Sequence, residues 1–374
     1  MVDRSVSTDS LGRDQAAAVD SPPKKKLKIA IIGCGGISEL HIQALRSMAD
    51  VDIVAGVDIK PRRLQVMQQK FSLTHLYDDY LRMLAEVKPD AVSVCTPNSL
   101  HAPMAVHALQ AGAHVITEKP MAMNPIECRQ MLGAAKKSGR KLAVGFQYRY
   151  HPHTQMLVRA RDSGQFGDVM FVKCQALRRR GIPNWGVFGR KELQGGGPMI
   201  DLGVHVMEMA HYMMGSPRPV SAAGNIWTYL GHKPGNVASM WPGWDHATYN
   251  VEDLAVGHIR FENGAVMQVE ASFAAHIAAD IWNFSFMGTR GGGSWDPPTI
   301  HTDSAGTMVN ITPAFLPSGD FAGLISAKLR NFVDACLYDA ELMAPGEAGL
   351  DVQAMIDGVY RAAACGHEVD ISTL

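Results

Sequence analysis

The stretch KIAIIGCGGISELH, residues 28–41, limits the fold more than any other part of the chain. A continuous apolar run ends in Gly33, Cys34, Gly35 and Gly36, and a helical pattern with Ile37, Leu40, Ile42 and Leu45 follows at once. Apolar residues in unbroken succession predict a parallel strand covered on both faces. Glycines at the step from strand to helix permit a tight turn. They also leave bare N–H groups at a helix N-terminus, where an anion is favoured.

The same signal recurs. VDIVAGVD (51–58), AVSVCTP (91–97), HVITEKP (114–120) and KLAVGF (141–146) read as further buried strands with helical segments between them, one of them opened by Pro61. This alternation predicts an α/β domain with a Rossmann-type, doubly wound parallel sheet over 26–147. After it the texture changes. DVMFVKCQALRRR (168–180) alternates over a long span, and short strand-like runs follow, two of them joined by Asn263–Gly264, a hairpin signal. Residues 148–374 therefore read as an α+β domain with a large, mainly antiparallel, open-faced sheet. Its helices are expected from 321 into the 330s and over 346–366, the last able to pack back on the first domain. The segments 231–248 and 291–306 read as long loops. Residues 1–25 read as a disordered tail, and KKKLK (24–28) as a solvated lead-in to the first strand.

Charge and cysteine content narrow the partners. Thirty-five basic and 36 acidic residues leave a formal charge of −1, so no global field draws the chain to nucleic acid or to an anionic membrane. No apolar run is long enough to span a bilayer. The six cysteines form no C-x-x-C pair, and several lie in apolar strands or helical patterns. That fits a reducing cytoplasm without a disulfide framework.

Gly33, Gly35 and Ser38 occupy a G-x-G-x-x-small pattern, with Gly36 in addition. The first glycine permits the turn, the second admits a pyrophosphate, and the small third residue lets helix and strand pack closely. Asp58 ends the second strand, where a carboxylate can accept both ribose hydroxyls of an adenosine and repel a 2′-phosphate. NAD is accordingly favoured over NADP. Lys60, Arg62 and Arg63 have two readings, a tolerance for phosphate or solvated charges at a helix start.

With these residues in place, the chain resembles the Gfo/Idh/MocA family of sugar and polyol oxidoreductases over nearly all of its length after residue 26. TPNSLH (96–101) is similar to that family's T-P-N-x-x-H, EKP (118–120) to its lysine motif, and GGGPMIDLGVHVME (195–208) to its G-G-G-x-x-x-D-x-G-x-H-x-x-D signature. Glu208 departs from it, standing where the family usually has Asp. The resemblance implies a nicotinamide enzyme acting on a sugar-like alcohol, forming a homodimer or homotetramer through the open sheet. It implies a cofactor site at Gly33, Gly35, Gly36, Ile37, Ser38 and Asp58. Thr96, Pro97, Asn98, His101, Glu118, Lys119 and Gln147 would complete it on the nicotinamide side, though His101 equally suits a helix face.

The chemistry then assigns roles. Oxidising an alcohol sends a hydride to the cofactor and a proton to a base. His205 suits the base, expected to titrate near neutrality, and Asp201, four residues earlier, would share its helical face and fix its tautomer. Lys119 would hydrogen-bond the reacting hydroxyl and stabilise the developing oxygen charge. Arg149, Trp185 and Arg178 or Arg180 are further substrate candidates. Asp201, His205, Glu208 and His211 stand at a spacing that could bind a metal, but hydride transfer assisted by a lysine needs none, and none is expected. Two other outcomes remain open: an NAD-assisted glycosidase or lyase working through a transient 3-keto sugar, and a non-catalytic NAD-binding regulator.

Overall fold

The computed structural model describes residues 26–239 and 241–373. The tail read over 1–25 lies outside them. Two sheets organise the chain. The first is built from β1 (Leu27–Ile32), α1 (Gly36–Arg46), β2 (Val51–Val57), α2 (Pro61–Phe71), β3 (Leu76–Tyr77), α3 (Tyr80–Val87), β4 (Ala91–Val94), α4 (His101–Gln110), β5 (His114–Thr117), α5 (Pro125–Ser138) and β6 (Leu142–Val144). Its six strands are all parallel, in the order β3-β2-β1-β4-β5-β6. The order reverses between β1 and β4, the place where doubly wound sheets bind ligands at the strands' carboxyl ends.

Both faces of this sheet are covered, which is why its strands are apolar throughout. Ala30, Ile32, Val92 and Val115 pack on one side with residues of α4 and α5 such as Ala105, Leu109 and Met131. Ile29 and Ile31 pack on the other with Ile42 and Leu45 of α1 and Met67 of α2. That second layer is completed from far along the chain: Ile325, Leu329, Phe332 and Val333 of α9 (Phe321–Tyr338) belong to the same cluster.

The second sheet follows α6 (Pro152–Asp162). Its elements are β7 (Val169–Leu177), α7 (Lys191–Gln194), α8 (Val204–Met213), β8 (Pro219–Trp227), β9 (Leu254–Phe261), β10 (Val266–Ser272), β11 (Ile281–Gly288), β12 (Gly291–Ser294), β13 (Thr299–Ser304), β14 (Thr307–Ile311), then α9, α10 (Gly346–Cys365) and β15 (Val369–Asp370). Nine strands run in the order β14-β13-β12-β11-β7-β10-β9-β8-β15, antiparallel except for β7 with β10. Val172, Cys174 and Ala176 point into the core while Phe171, Lys173 and Gln175 lie on the open face. Asn263–Gly264 turns β9 into β10, with Gly264 at φ +84. The segment 291–306, expected as a loop, instead supplies β12 and β13. Its glycines hid the strand: a Cβ at Gly293 would lie 2.6 Å from Thr299 O and 2.9 Å from the Phe286 ring, so only bare backbone fits there. α10 packs on β8 and on α5, and Val144 N donates to Ala344 O, so the chain's end is stitched to the first sheet.

Gly33 takes φ +90, and a Cβ there would lie 2.6 Å from the carbonyl oxygen of Cys95. Gly35 has φ −78 and open space around it. Gly33→Ala is therefore expected to cost at least about 1–3 kcal/mol, and Gly35→Ala to stay within about 0.5 kcal/mol, in urea unfolding of the two variants.

Candidate active site

The glycine turn is braced by the acid that follows it. Cys34 N donates to Asp58 Oδ2 at 2.9 Å and Lys60 N to Asp58 Oδ1 at 2.8 Å. Each carboxylate oxygen keeps a second lone pair for a ligand. Gly35 caps α1 without any side-chain hydrogen bond, and a Cβ at Gly35 or Gly36 would meet nothing within 4 Å. Ser38, fully buried, turns its hydroxyl to Gly35 O at 2.6 Å. Half-buried Ile37 stands in the first turn of α1. Next to Asp58, Ile59 is 79% exposed, an apolar side chain with nothing in the protein to cover it. At the ends of β4 and β6, Thr96 Oγ1 and Gln147 Oε1 are buried with no partner. Uncapped N–H groups, a braced carboxylate, an uncovered apolar side chain and unsatisfied polar atoms at the strand ends fit a nicotinamide dinucleotide.

Other residues of the expected cofactor set hold the frame. His101 reaches two carbonyls, Pro120 O through Nδ1 at 2.8 Å and Thr96 O through Nε2 at 2.9 Å, so its imidazole clamps the loops after β4 and β5 together. Asn98, next to Pro97, donates to Gln194 O at 2.9 Å and ties the first lobe to the glycine segment of the second. Glu118 is 7% exposed and turns inward to His41 and Lys328.

The candidate reacting groups come from both lobes. Lys119, after β5, donates from Nζ to Asp201 Oδ1 at 2.8 Å and to Asp201 O at 3.0 Å. Asp201 lies in a π-helical turn, Met199–Gly203, that runs into α8. Asp201 spends its carboxylate on Lys119, and His205 Nδ1 is buried without a partner. The expected Asp201–His205 hydrogen bond is absent. Burial first, then the nearby Lys119 ammonium, holds His205 well below the ordinary imidazole range rather than near neutrality. Tyr148 packs edge-on to the imidazole with centroids 5.2 Å apart, and Trp282 lies at 5.7 Å.

The triple glycine before this turn is a matter of space. A Cβ at Gly196 would collide with the Tyr360 hydroxyl, and one at Gly197 with Glu252 O. Glu252 accepts from Gly197 N at 2.8 Å, from Met199 N at 3.1 Å and from the Tyr360 hydroxyl at 2.8 Å. The buried carboxylate fixes the backbone from which Asp201 projects.

Arg149, expected at the substrate, is instead 3% exposed and paired with fully buried Glu208; it also donates to Met343 O at 2.6 Å and packs over the Tyr212 ring. Charge and length make it an internal tie between the turn after β6, α8 and the segment before α10. His211 bonds Pro217 O at 2.8 Å, so Asp201, His205, Glu208 and His211 go to separate surroundings. Trp185 is 49% exposed and meets Trp241 edge-on at 4.7 Å, and Arg178 lies over the Trp241 ring at 4.8 Å. Asp201 acts on the Arg178 guanidinium, which burial lowers. A cationic and aromatic wall thus runs outward from the reacting groups. Tyr148, Trp282 and Trp241 were not singled out from the sequence, because aromatics in alternating strands or loops look the same whether packed or functional.

Two family models match: "Oxidoreductase family, NAD-binding Rossmann fold" over residues 27–146 and "Oxidoreductase family, C-terminal alpha/beta domain" over 162–371. D-glucoside 3-dehydrogenase of Escherichia coli K12 is 35% identical over 357 residues, covering 95% of this chain and 99% of that protein. Myo-inositol 2-dehydrogenase of Thermotoga maritima is 26% identical over 255 residues, 68% of this chain and 71% of that protein. Among solved structures, levoglucosan dehydrogenase in complex with NADH superposes with a TM-score of 0.81 at 22% identity, covering 94% of this chain and all of that one. No helix among the described residues is long and apolar enough to cross a membrane. Motifs, strand order and these relatives agree: the chain belongs to the Gfo/Idh/MocA family of oxidoreductases, with an NAD-binding Rossmann fold.

Proposed function

We propose that the protein oxidises a secondary hydroxyl of a sugar, glycoside or cyclitol, with Lys119 and His205 managing the proton. One observation carries this reading: an amine from the first lobe meets Asp201 of the second, with a neutral imidazole in the same electrostatic field, at the switch point of a dinucleotide-binding sheet. The name of the 35% relative, D-glucoside 3-dehydrogenase, supports a glycoside as the first substrate to try.

Bound NAD supplies the hydride acceptor. Gly35, Gly36 and the first turn of α1 would hold its pyrophosphate and Asp58 its adenosine ribose, and Thr96 and Gln147 would offer their unpaired polar atoms on the nicotinamide side. Lys119, oriented by Asp201, donates a hydrogen bond to the substrate oxygen and stabilises the charge that grows there as the carbon gives up hydride. His205 receives the hydroxyl proton at Nε2, with the neutral ring carrying its own hydrogen on Nδ1, the nitrogen buried inside the protein. Without an acceptor at Nδ1, the imidazolium gains little, and it stays a readily discharged acid. Trp185 and Arg178 line the approach, where an aromatic face and a guanidinium suit a sugar ring and its hydroxyls. A second copy of the chain covers the open face of the large sheet, on which Met287 is 61% and Trp227 46% exposed.

Four measurements test this. A spectrophotometric panel of glycosides, free sugars, inositols and sugar acids is expected to give NAD reduction with at least one member. No turnover in either direction across the panel overturns the assignment. Lys119→Met is expected to lose about 10²–10³-fold in kcat. His205 works only when deprotonated and its folded value is depressed. So kcat/KM for oxidation should hold through neutrality and fall only as pH drops below the usual imidazole range. His205→Gln should lose about 10²–10⁴-fold and abolish that acid limb. For assembly, sedimentation should give a dimer or tetramer, and a concentration-independent monomer removes the second copy.

A further inference from the structure

Lys328 is a lysine with 1% of its side chain exposed, on a helix that begins 177 residues after the first sheet is finished. Its ammonium ends on Glu118 Oε1. The same oxygen accepts from His41 Nε2 at 3.0 Å, and His41 Nδ1 meets the Ser93 hydroxyl at 2.8 Å. Space for this is made by Gly145, where a Cβ would lie 2.8 Å from Glu118 Oε1 and 3.1 Å from Lys328 Nζ. The other carboxylate oxygen takes the backbone N–H of Lys119 at 3.4 Å. Burial alone would push the Glu118 carboxyl up; Lys328 and His41 outweigh it and hold the group ionised, far below the usual carboxylate range.

We propose that Lys328 is a positioning residue of the reaction centre: by keeping Glu118 ionised behind Lys119, it fixes the backbone that carries the reacting amine and cancels the carboxylate's charge behind it. Two neutral pairs then stand in series, Lys328 with Glu118 and Lys119 with Asp201. Breaking the inner pair has a sign. Without the Lys328 charge, the field at Lys119 and His205 becomes more negative; without the Glu118 charge, it becomes more positive. The charges felt at His205 are those of Lys119, Glu118, Lys328 and Arg178, with Tyr148 edge-on to the ring and the Arg149–Glu208 pair on the neighbouring turn. Those facing Glu118 are Lys328, His41 and, more distantly, Cys95 and His101. With Lys328 removed, His41 is the one of these that still hydrogen-bonds the carboxylate and can replace the lost charge. Burial and the Lys328 charge keep it neutral, so it can do so only at acid pH.

The inference rests on the reading of Lys119 and His205 given above. That reading fails by itself if Lys119→Met turns over normally, whatever Lys328 does. The test uses K328M, E118Q and the double variant K328M/E118Q, which removes both buried charges and keeps their volume. NAD affinity is read by protein fluorescence, folding by thermal melting, and turnover from kcat against pH. K328M and E118Q are expected to lower kcat about tenfold or more, with NAD affinity within about twofold of the parent, as misplacement of a reacting group does. Their acid limbs should move in opposite directions, upward in K328M and downward in E118Q. The double variant should melt like the parent, place its limb near the parent's, and still be slow. A double variant with parental kcat, or singles whose kcat falls only with their folded fraction and whose limbs do not move, overturns the proposal. Should either single variant fail to fold, the kcat of the double decides alone.

Discussion

The ion pair between Lys119 and Asp201 joins the two halves of the molecule at the carboxyl ends of the first sheet. Its side chains are 18% and 12% exposed, enough burial for the attraction to be felt and enough opening for a substrate oxygen to reach the amine. Everything around it serves to aim these two groups. The lysine stands on a strand end whose backbone is held by Glu118. The aspartate stands on a π-helical turn whose approach is held by Glu252 and Tyr360. A pair made across two lobes is only as well placed as each lobe is rigid, and both supports are buried carboxylates.

That division explains why so many motif residues turn away from the ligand space. His101 clamps two loops, Asn98 bridges to Gln194, and Arg149 and Glu208 neutralise each other inside the second lobe. Buried polar groups must be paired, and removing one partner strands the other in a low dielectric. A family signature rich in Asp, Glu, His and Lys therefore records two kinds of residue with equal emphasis. Some meet the substrate, and the rest keep the first kind still.

The sequence shows the first kind better than the second. The glycine turn, Asp58 and Lys119 were legible because each follows from local chemistry: a positive φ, a strand end, a proline after the lysine. The doubly wound sheet was legible because strands covered on both faces must be apolar throughout. Three things were not. The partner of Asp201 is Lys119, 82 positions away, and the four-residue spacing by which Asp201 and His205 were paired does not announce it. β12 is nearly all glycine, so its pairing is set by neighbours and not by propensity. α9 completes the first lobe from position 321 onward, a long-range contact that no periodicity within 26–147 contains, and with it comes Lys328.

The low proton affinity of His205 follows from the same enclosure. Tyr148 and Trp282 exclude water from the ring, Lys119 sits in its field, and no acceptor waits at Nδ1. Each of these makes the imidazolium costly, and together they keep the neutral form dominant at pH 7. On the proposed reading, an alcohol arriving there finds its base already deprotonated, whereas a ketone arriving for reduction finds the proton donor scarce. The protonation state is thus set for oxidation, and the reverse reaction should gain from acid. A site with a solvated histidine paired to Asp201, as the spacing suggested, would have no such bias. On that reading, placing the aspartate on the lysine instead of the histidine is what favours oxidation.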